Sequence, residues 1–298
     1  MGDRDADVEM DRALLMSVCY RLLGSISEAE DAVQETYARW YTLSGAARAE
    51  IASPTGWLIT TASRICLDVL ASARVKRQVY VGTWLPELVP PSANWTTLTE
   101  SGMNADPAER MTIDESVSMA LLVVLEKMTP AERVAFVLHD VFGYPFVDIG
   151  DIVGRSAQAC RQLASSARRR VRLSRPQEAT PAEHGRLVTA FKSAWETGDV
   201  ASLVHLLDPG STMITDGGGL VSAAINPLRG PEAIANFLLG VRARQPDLEV
   251  IVTNVNGQAG LVASADGRTL AVVAISVKDE RVETIWALRS PLKLQAWS

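Results

Sequence analysis

FVDIGDIVGRSAQACRQLASSARRRV, at residues 146–171, carries the clearest signal for secondary structure in this chain. Its apolar residues recur at helical spacing as far as Val153, and Gly154 interrupts them where a helix would end. Ser156 then stands where its hydroxyl can cap a second helix. The stretch therefore predicts two short helices joined by a tight turn.

The second helix of this pair is predicted to have a small-residue inner face and a polar outer face rich in Gln and Arg. Such a helix fits the major groove of DNA, where side chains near its N-terminus meet base edges and a basic C-terminus meets phosphates. The candidate DNA-contacting residues are Ser156, Gln158, Arg161, Gln162, Ser165, Arg168 and Arg169. The alternative is an ordinary helical hairpin with a solvated basic face.

The charge of the chain is unevenly distributed. The net charge is −6, yet residues 145–175 hold seven arginines and two aspartates, whereas residues 1–36 hold nine acids and three bases. The later segment attracts phosphate and the N-terminal one repels it. The acidic total therefore does not exclude a nucleic-acid partner.

Composition and length set the broad class. A chain of 298 residues with 47% hydrophobic content predicts about two globular domains. No apolar run reaches the roughly 18 residues of a membrane span, and the acidic N-terminus lacks a secretory apolar core, so we expect a cytoplasmic protein. Cys19, Cys66 and Cys160 lie in helical apolar patterns and predict buried free thiols, with neither a metal site nor a cofactor.

Helical patterns occupy two blocks separated by a linker. In the first block, Ser27 with Glu30 predicts a capping box, and Ser53-Pro54 opens a long helix. Residues 78–110 are proline-rich and aperiodic, which predicts a linker. The second block, from about residue 113 to 175, contains a further capping box at Thr129-Pro130-Ala131-Glu132.

The remainder of the chain changes to an α+β pattern after a second linker at residues 174–183. Three helical runs precede four β-like runs, LEVIVTNV, GLVASA, TLAVVAISV and VETIWALR. Turn-forming pairs such as Asn256-Gly257 and Asp266-Gly267 separate the β-like runs. We expect three or four antiparallel strands packed against helices.

The two helical blocks resemble the extracytoplasmic-function (ECF) group of bacterial sigma-70 factors. The stretch RLLGSISEAEDAVQETYARW at residues 21–40 resembles the region-2 signature, with Asp31-Ala32-Val33-Gln34-Glu35 as its D-x-V-Q-E core. The helix at residues 54–77 resembles the one that melts and reads the −10 promoter element, and residues 128–171 resemble region 4.

This resemblance implies a function and a set of sites. The chain would be an alternative sigma factor, without catalytic residues, that recruits core RNA polymerase to promoter DNA. Asp31, Gln34 and Glu35 would dock on the coiled coil of the polymerase clamp, while region 4 would contact the flap and read the −35 element. The residues expected to contact DNA from the −10 helix are Thr60, Ser63, Arg64, Arg74 and Arg77.

A further resemblance covers the tail, which looks like the SnoaL-like (cystatin-like cone) domain fused to one ECF subgroup. That subgroup tends to show W-L-P-E-P in the linker, D-G-G-G-K in the tail and N-P-D-K-L near the end. This chain departs from all three, with Leu88, Leu220 and the stretch SPLKL at 290–294. The residues implied in a regulatory contact are Trp84, Leu85, Pro86, Glu87, Asp216, Gly217, Gly218 and Gly219. Asp216 has the alternative role of capping backbone amides in its own turn.

The implied class is therefore multi-domain. It comprises an all-α region-2 bundle (8–78), a linker with the WLPE motif (79–110), an all-α region-4 helix-turn-helix (111–175), a short linker (176–183) and an α+β SnoaL-like domain (184–298).

Two other classes of function remain open at this point. A stand-alone helix-turn-helix regulator would need neither the D-x-V-Q-E helix nor the helix at 54–77. An enzyme built on the tail would lack tyrosine throughout residues 181–298 and would have only His184 and His205 there. We expect instead a regulatory module with an unknown small ligand. Its candidate cavity-lining residues are Phe191, Trp195, Phe237 and Trp286.

Overall fold

The computed structural model describes residues 3–78, 80, 82–93, 95, 118–174, 179–221, 224 and 226–297. These residues belong to two compact units. The first holds the described residues up to 78, Trp95 and residues 121–174, and the second holds the described residues of 79–93, 118–120 and 179–297. The two all-α parts and the α+β part expected from the sequence are all present, which confirms the multi-domain class.

The N-terminal part of the first unit is a helical bundle. Its helices are α1 (Asp3–Leu23), α2 (Ile26–Thr42), α3 (Gly45–Glu50) and α4 (Pro54–Gln78). The predicted capping box at Ser27 is wrong, because Ser25 has the extended backbone of a cap and its Oγ accepts the amide of Glu28 at 3.3 Å. The short α3 was not predicted; it buries no residue and so leaves no apolar periodicity.

The C-terminal part of the first unit contains α5 (Met119–Glu126) from Leu121 onward, α6 (Pro130–Phe136), a π-helical turn (Val137–Val141), α7 (Phe146–Val153) and α8 (Ala157–Ser174). The capping box of Thr129 with Glu132 is confirmed. Arg133 on α6 is 3% exposed, and its guanidinium donates to the carbonyl of Leu22 at 2.7 Å and to Glu126 at 2.8 Å. Burial lowers the pKa of Arg133 to about 10. This arginine ties α6 to the end of α1 within the unit.

The second unit packs α9 (Pro181–Thr197), α10 (Val200–Leu206) and α11 (Pro231–Arg244) against a six-stranded sheet. Its strands are β1 (Leu207–Asp216), β2 (Leu228–Arg229), β3 (Glu249–Val255), β4 (Gln258–Ala265), β5 (Arg268–Lys278) and β6 (Arg281–Leu288), in the order β2-β1-β6-β5-β4-β3. The β3–β6 meander confirms the four antiparallel runs.

Two features of this unit differ from the expectation. The helix predicted from VASLVHLLDPG at residues 200–210 is too long, because residues 207–210 begin β1, which pairs parallel with β6. Helix α9 begins inside the second predicted linker, where Thr180 and Glu183 form a capping box. Asn256 and Gly257, by contrast, adopt φ of 52° and 82°, the left-handed values that a tight hairpin turn requires.

Candidate nucleic-acid interface and linker site

The helix pair α7–α8 has the geometry that its sequence predicts. Gly154 ends α7 with a left-handed φ of 69°, and Ser156 Oγ accepts the amide of Ala159 at 3.2 Å to cap α8. A Cβ on Gly150 would lie 2.6 Å from the carbonyl oxygen of Arg155, so only glycine permits this close return of the chain. The turn between the helices therefore has a fixed shape.

Helix α8 separates its polar residues from its packed ones. Cys160, Ala164 and Ala167 are buried, and the opposite side is exposed. The candidate residues that are exposed are Ser156, Gln158, Arg161, Gln162, Ser165 and Arg169. The guanidinium of Arg161 lies 5.3 Å from the centroid of the Phe146 ring, which holds the arginine near the start of the helix.

Arg168 differs from the other candidates because it already has an acidic partner. It is half-buried and forms an ion pair with Asp140 of the π-helical turn. Arg170 lies near Glu132, with an Nη2–Oε1 distance of 3.4 Å, and donates to the carbonyl of Lys127 at 3.0 Å. Part of the arginine run thus stabilises the helical unit, and Arg169 stays on the exposed face.

Helix α4 presents only some of its predicted DNA-contacting residues. Thr60 is half-buried and Arg64 is exposed, but Ser63 is fully buried, and its Oγ has no hydrogen-bond partner among the described residues. Ser63 faces the bundle core because it lies four residues after Ile59 and three before Cys66, both of which are buried. An inaccessible hydroxyl cannot reach DNA from this conformation. The side chains of Arg74 and Arg77 lie outside the described residues.

Arg64 has a partner that the sequence did not suggest. Its guanidinium donates to the backbone carbonyl of Asp151, on α7, at 2.9 Å. Both helices belong to the first unit. A DNA contact by Arg64 therefore requires this hydrogen bond to be exchanged.

Helix α2 exposes all three residues of the predicted polymerase-docking surface. Asp31, Gln34 and Glu35 are exposed, while Ala32 and Val33 between them are buried. Glu35 also pairs with Arg39 one turn later at 2.8 Å. The alternation places two acids and an amide along one edge of the helix, as the D-x-V-Q-E spacing predicts.

The WLPE segment and the Gly-rich turn meet at one buried carboxylate in the second unit. Asp216 is 0% exposed, and its Oδ1 accepts from the hydroxyl of Tyr80 at 2.7 Å. Its Oδ2 accepts from the amide of Leu85 at 2.9 Å and from Lys293 Nζ at 2.8 Å. We call Tyr80, Leu85, Asp216 and Lys293 the linker anchor.

Lys293 completes this linker anchor from the far end of the chain. Its Nζ donates to the carbonyl of Leu85 at 2.6 Å and lies 4.2 Å from the centroid of the Trp84 ring. The ammonium thus meets a carboxylate, a carbonyl and an aromatic face in a place that is 9% exposed. Burial, followed by the hydrogen bond to Asp216, raises the pKa of the Tyr80 phenol, so that it remains a donor.

The Gly-rich turn brings its glycines against the same residues. Gly218 donates its amide to Asp216 Oδ1 at 3.0 Å, so the alternative role of Asp216 as an amide cap coexists with the contact to the linker. Gly218 and Gly219 have φ of 64° and 72°, and Gly217 joins them to β1. A Cβ on Gly218 would lie 2.6 Å from Ser290 Oγ. The turn therefore needs glycine both for its φ and for space.

A second point of attachment lies at the end of the WLPE segment. The amide of Val89 donates to Asn256 Oδ1 at 2.7 Å, and the amide of Asn256 donates to the carbonyl of Val89 at 3.1 Å. Trp297 Nε1 donates to the carbonyl of Leu88 at 2.7 Å. Leu85, Pro86, Leu88 and Val89 are buried, and Trp84 and Glu87 are half-buried. Residues 84–89 therefore pack as an integral part of the second unit.

Sequence reasoning identified Asp216 and the WLPE segment but missed their other partners. Lys293 was visible only as the lysine of SPLKL, Asn256 only as a turn residue, and nothing marked Tyr80 or Trp297. Of the departures from the subgroup's motifs, Leu220 and Leu292 are 63% and 67% exposed and lie outside the linker anchor, whereas Leu88 is buried.

The described residues contain no group of three or more His, Cys, Asp and Glu able to hold a metal ion. None of their helices is long and apolar enough to cross a membrane. Cys19, Cys66 and Cys160 are buried free thiols, as predicted.

The sequence and structure of the chain are similar to those of known proteins. Residues 8–75 match the model of Sigma-70 region 2, and residues 118–171 match that of Sigma-70, region 4. The chain is 37% identical, over 97% of its length, to the ECF RNA polymerase sigma factor SigJ of Mycobacterium tuberculosis strain H37Rv, of which it covers 92%. The crystal structure of Mycobacterium tuberculosis SigJ matches with a TM-score of 0.74 at 34% identity, covering 98% of both chains.

The C-terminal part also aligns with a putative isomerase of the SnoaL-like family from Agrobacterium tumefaciens. That alignment covers 36% of this chain and 97% of the other, at 11% identity and a TM-score of 0.28.

Proposed function

The chain belongs to the ECF group of RNA polymerase sigma factors, and from this premise we propose which of its surfaces perform each step. As a member of this group it is an alternative sigma factor, which binds core RNA polymerase, recognises promoter DNA and initiates transcription. A stand-alone DNA-binding regulator is thereby excluded. The assignment of individual residues is our proposal.

We assign recognition of the −35 element to the exposed face of α8. Gln158, Arg161 and Gln162 lie near the N-terminus of the helix, where side chains can reach base edges in the major groove. Ser156 and Ser165 flank them, and Arg169 contacts phosphate. Arg168 joins the phosphate contacts less readily, because its ion pair with Asp140 must first be broken.

We assign the −10 element to α4, through Thr60 and Arg64, with Arg74 and Arg77 as further candidates. Ser63 is left out of this surface because it is buried. Unpaired bases need nearby positive charge, which Arg64 supplies once it leaves the carbonyl of Asp151.

We assign docking on the polymerase clamp coiled coil to Asp31, Gln34 and Glu35, and contact with the flap to the α5–α8 helices. The exposed acids of α2 can steer a basic partner and set its register. The test is binding of the full chain to purified core polymerase. Glu35→Lys is expected to weaken binding severalfold, and Glu50→Lys, an exposed acid on α3, is the matched control. Equal binding by both variants would contradict the assignment.

We further propose that the tail regulates the sigma factor by holding the linker. The observation that carries this proposal is the buried Asp216–Lys293 pair, which binds both the amide and the carbonyl of Leu85. A linker held at this residue has fewer conformations than a free one, so the spacing it allows between the promoter-reading regions is restricted. Run-off transcription by the Asp216→Asn variant, compared with Asp247→Asn, tests this. Equal transcript yields would contradict it.

We propose that the tail acts without catalysis. Among the described residues that line its cavity there is no Asp, Glu, His or Tyr, the groups that proton transfer commonly uses. In a substrate screen with the full chain we expect no turnover above the rate without protein. Saturable turnover would contradict the proposal.

A further inference from the structure

The second unit contains a cavity that sigma activity does not require. It lies between α9, α11 and the inner face of the sheet, in an empty space of about 570 Å³ that includes the solvent at its open mouth. Phe191, Trp195 and Phe237 line it, as expected from the sequence. Trp286 does not, because it alternates with Ile285 and Ala287 on β6 and so faces the other side of the sheet.

The walls of this cavity are almost wholly apolar. Beyond the aromatic residues of the helices, they consist mainly of aliphatic side chains from α11 and from β1, β4, β5 and β6. Trp195 Nε1 donates to the carbonyl of Leu238 at 3.0 Å, so this indole needs no partner from a ligand. The hydroxyl of Thr215 likewise donates to the carbonyl of Ala224 at 3.0 Å. A guest between these walls gains mainly by burying apolar surface.

One charged side chain stands at the edge of these apolar walls. Among the described residues lining the cavity, Arg289 is the only one with a formal charge. It continues the alternation of Ile285 and Ala287 beyond the end of β6, which directs it to the inner face. Its backbone amide donates to the carbonyl of Asp216 at 2.7 Å, which fixes the position of the residue.

Arg289 is partly buried and lies near the charge of a second arginine. Burial, followed by the nearby charge of Arg244, lowers the pKa of Arg289. Both effects penalise the cation, and both would be relieved by an anion beside it. A guanidinium can donate two parallel hydrogen bonds to one carboxylate. Gln245, which also lines the cavity, adds a neutral polar group.

We propose that this cavity binds a small amphipathic monocarboxylate, with its apolar chain between α9 and α11 and its carboxylate at Arg289. The apolar walls select the chain, and Arg289 selects the charge. A dicarboxylate or a sugar would leave polar groups against apolar walls at a cost that one arginine does not offset.

The position of Arg289 gives this site a route to the linker. The amides of Arg289 and Ser290 both donate to the carbonyl of Asp216, at 2.7 and 3.0 Å, and Asp216 is the carboxylate of the linker anchor. Arg289 is therefore connected to Leu85 through one residue, Asp216, by one hydrogen bond to its backbone carbonyl and one to its carboxylate.

The test is titration calorimetry of the full chain with octanoate and with 1-octanol, its uncharged counterpart. Wild-type protein is expected to bind octanoate at one site and 1-octanol about tenfold or more weakly, the difference that one charge-assisted contact makes. Arg289→Gln keeps the backbone bond to Asp216 and is expected to lose this preference. Arg268→Gln, an exposed arginine at the start of β5, removes the same charge away from the cavity and is expected to keep it.

Ala271→Phe fills the cavity from β5 and is expected to abolish binding of both compounds. If this variant fails to fold, Arg289→Gln decides the matter alone. Absence of saturable octanoate binding to wild-type protein would overturn the proposal. So would a preference for octanoate that survives Arg289→Gln. Because neither polymerase nor DNA is present, these outcomes are independent of the function proposed above.

Discussion

Replacing Asp216 by Asn should release the linker from the second unit. The carboxylate accepts four hydrogen bonds, two on each oxygen. An asparagine retains one acceptor oxygen and turns a donor amide toward the other two donors. It also removes the negative charge facing Lys293, which is 9% exposed.

The cost follows from the charge that remains. Breaking a buried ion pair by removing one partner costs about 3–5 kcal/mol, because the other charge stays buried. Lys293 keeps the carbonyl of Leu85 and the face of Trp84, so we expect the lower end, about 3 kcal/mol. This corresponds to an opening of the linker about 100-fold more frequent.

Hydrogen exchange of a peptide containing Leu85, measured by mass spectrometry on the full chain, reports this opening. We expect exchange about 100-fold faster in Asp216→Asn and unchanged in Asp247→Asn, an exposed aspartate. The double variant Asp216→Asn/Lys293→Met should recover part of the protection, since no buried cation is left unpaired. Wild-type exchange rates in Asp216→Asn would show that this carboxylate does not hold the linker.

Three further outcomes follow. Gly150→Ala forces a Cβ to 2.6 Å from a backbone carbonyl and should lower the free energy of unfolding by about 1–3 kcal/mol, whereas Gly185→Ala, with open space on α9, should raise it by about 0.5–1 kcal/mol; denaturant titration measures both. Arg169→Gln should weaken promoter binding by the holoenzyme on all sequences and reduce the salt slope by about one, and an unchanged slope would show that this arginine contacts no phosphate. Because the pKa of Tyr80 is raised in the folded chain, its stabilising contribution is complete below the ordinary tyrosine pKa of about 10. That contribution is lost as the pH rises through the higher folded value. Absorbance at alkaline pH should show a late-titrating phenol that is missing in Tyr80→Phe.

The parts that sequence predicted best are those with local physical causes. Gly154 ends α7 through its backbone conformation, and Ser156 caps α8 through one hydrogen bond. Both effects can be predicted from a few neighbouring residues. The exposed edge of α2 follows equally from helical spacing. The wrong cap at Ser27 shows the limit of this reasoning, because two serines two residues apart offer the same chemistry and only the backbone of Ser25 decides between them.

The parts that sequence could not predict depend on contacts between distant residues. Lys293 reaches Asp216 across 77 positions, and Tyr80 reaches it across 136. Ser63 looked polar and available until packing placed it in the core. Strand β1 escaped notice because its first residues contain Pro and Gly, and its pairing with β6 is parallel and distant.

Run-off transcription with purified core RNA polymerase, on the promoter of this protein's own gene, tests directly whether the chain acts as a sigma factor. We predict a transcript that requires the added chain and disappears with Arg161→Ala, while that variant still binds core polymerase. A chain that neither binds core polymerase nor yields a transcript would contradict the proposed function.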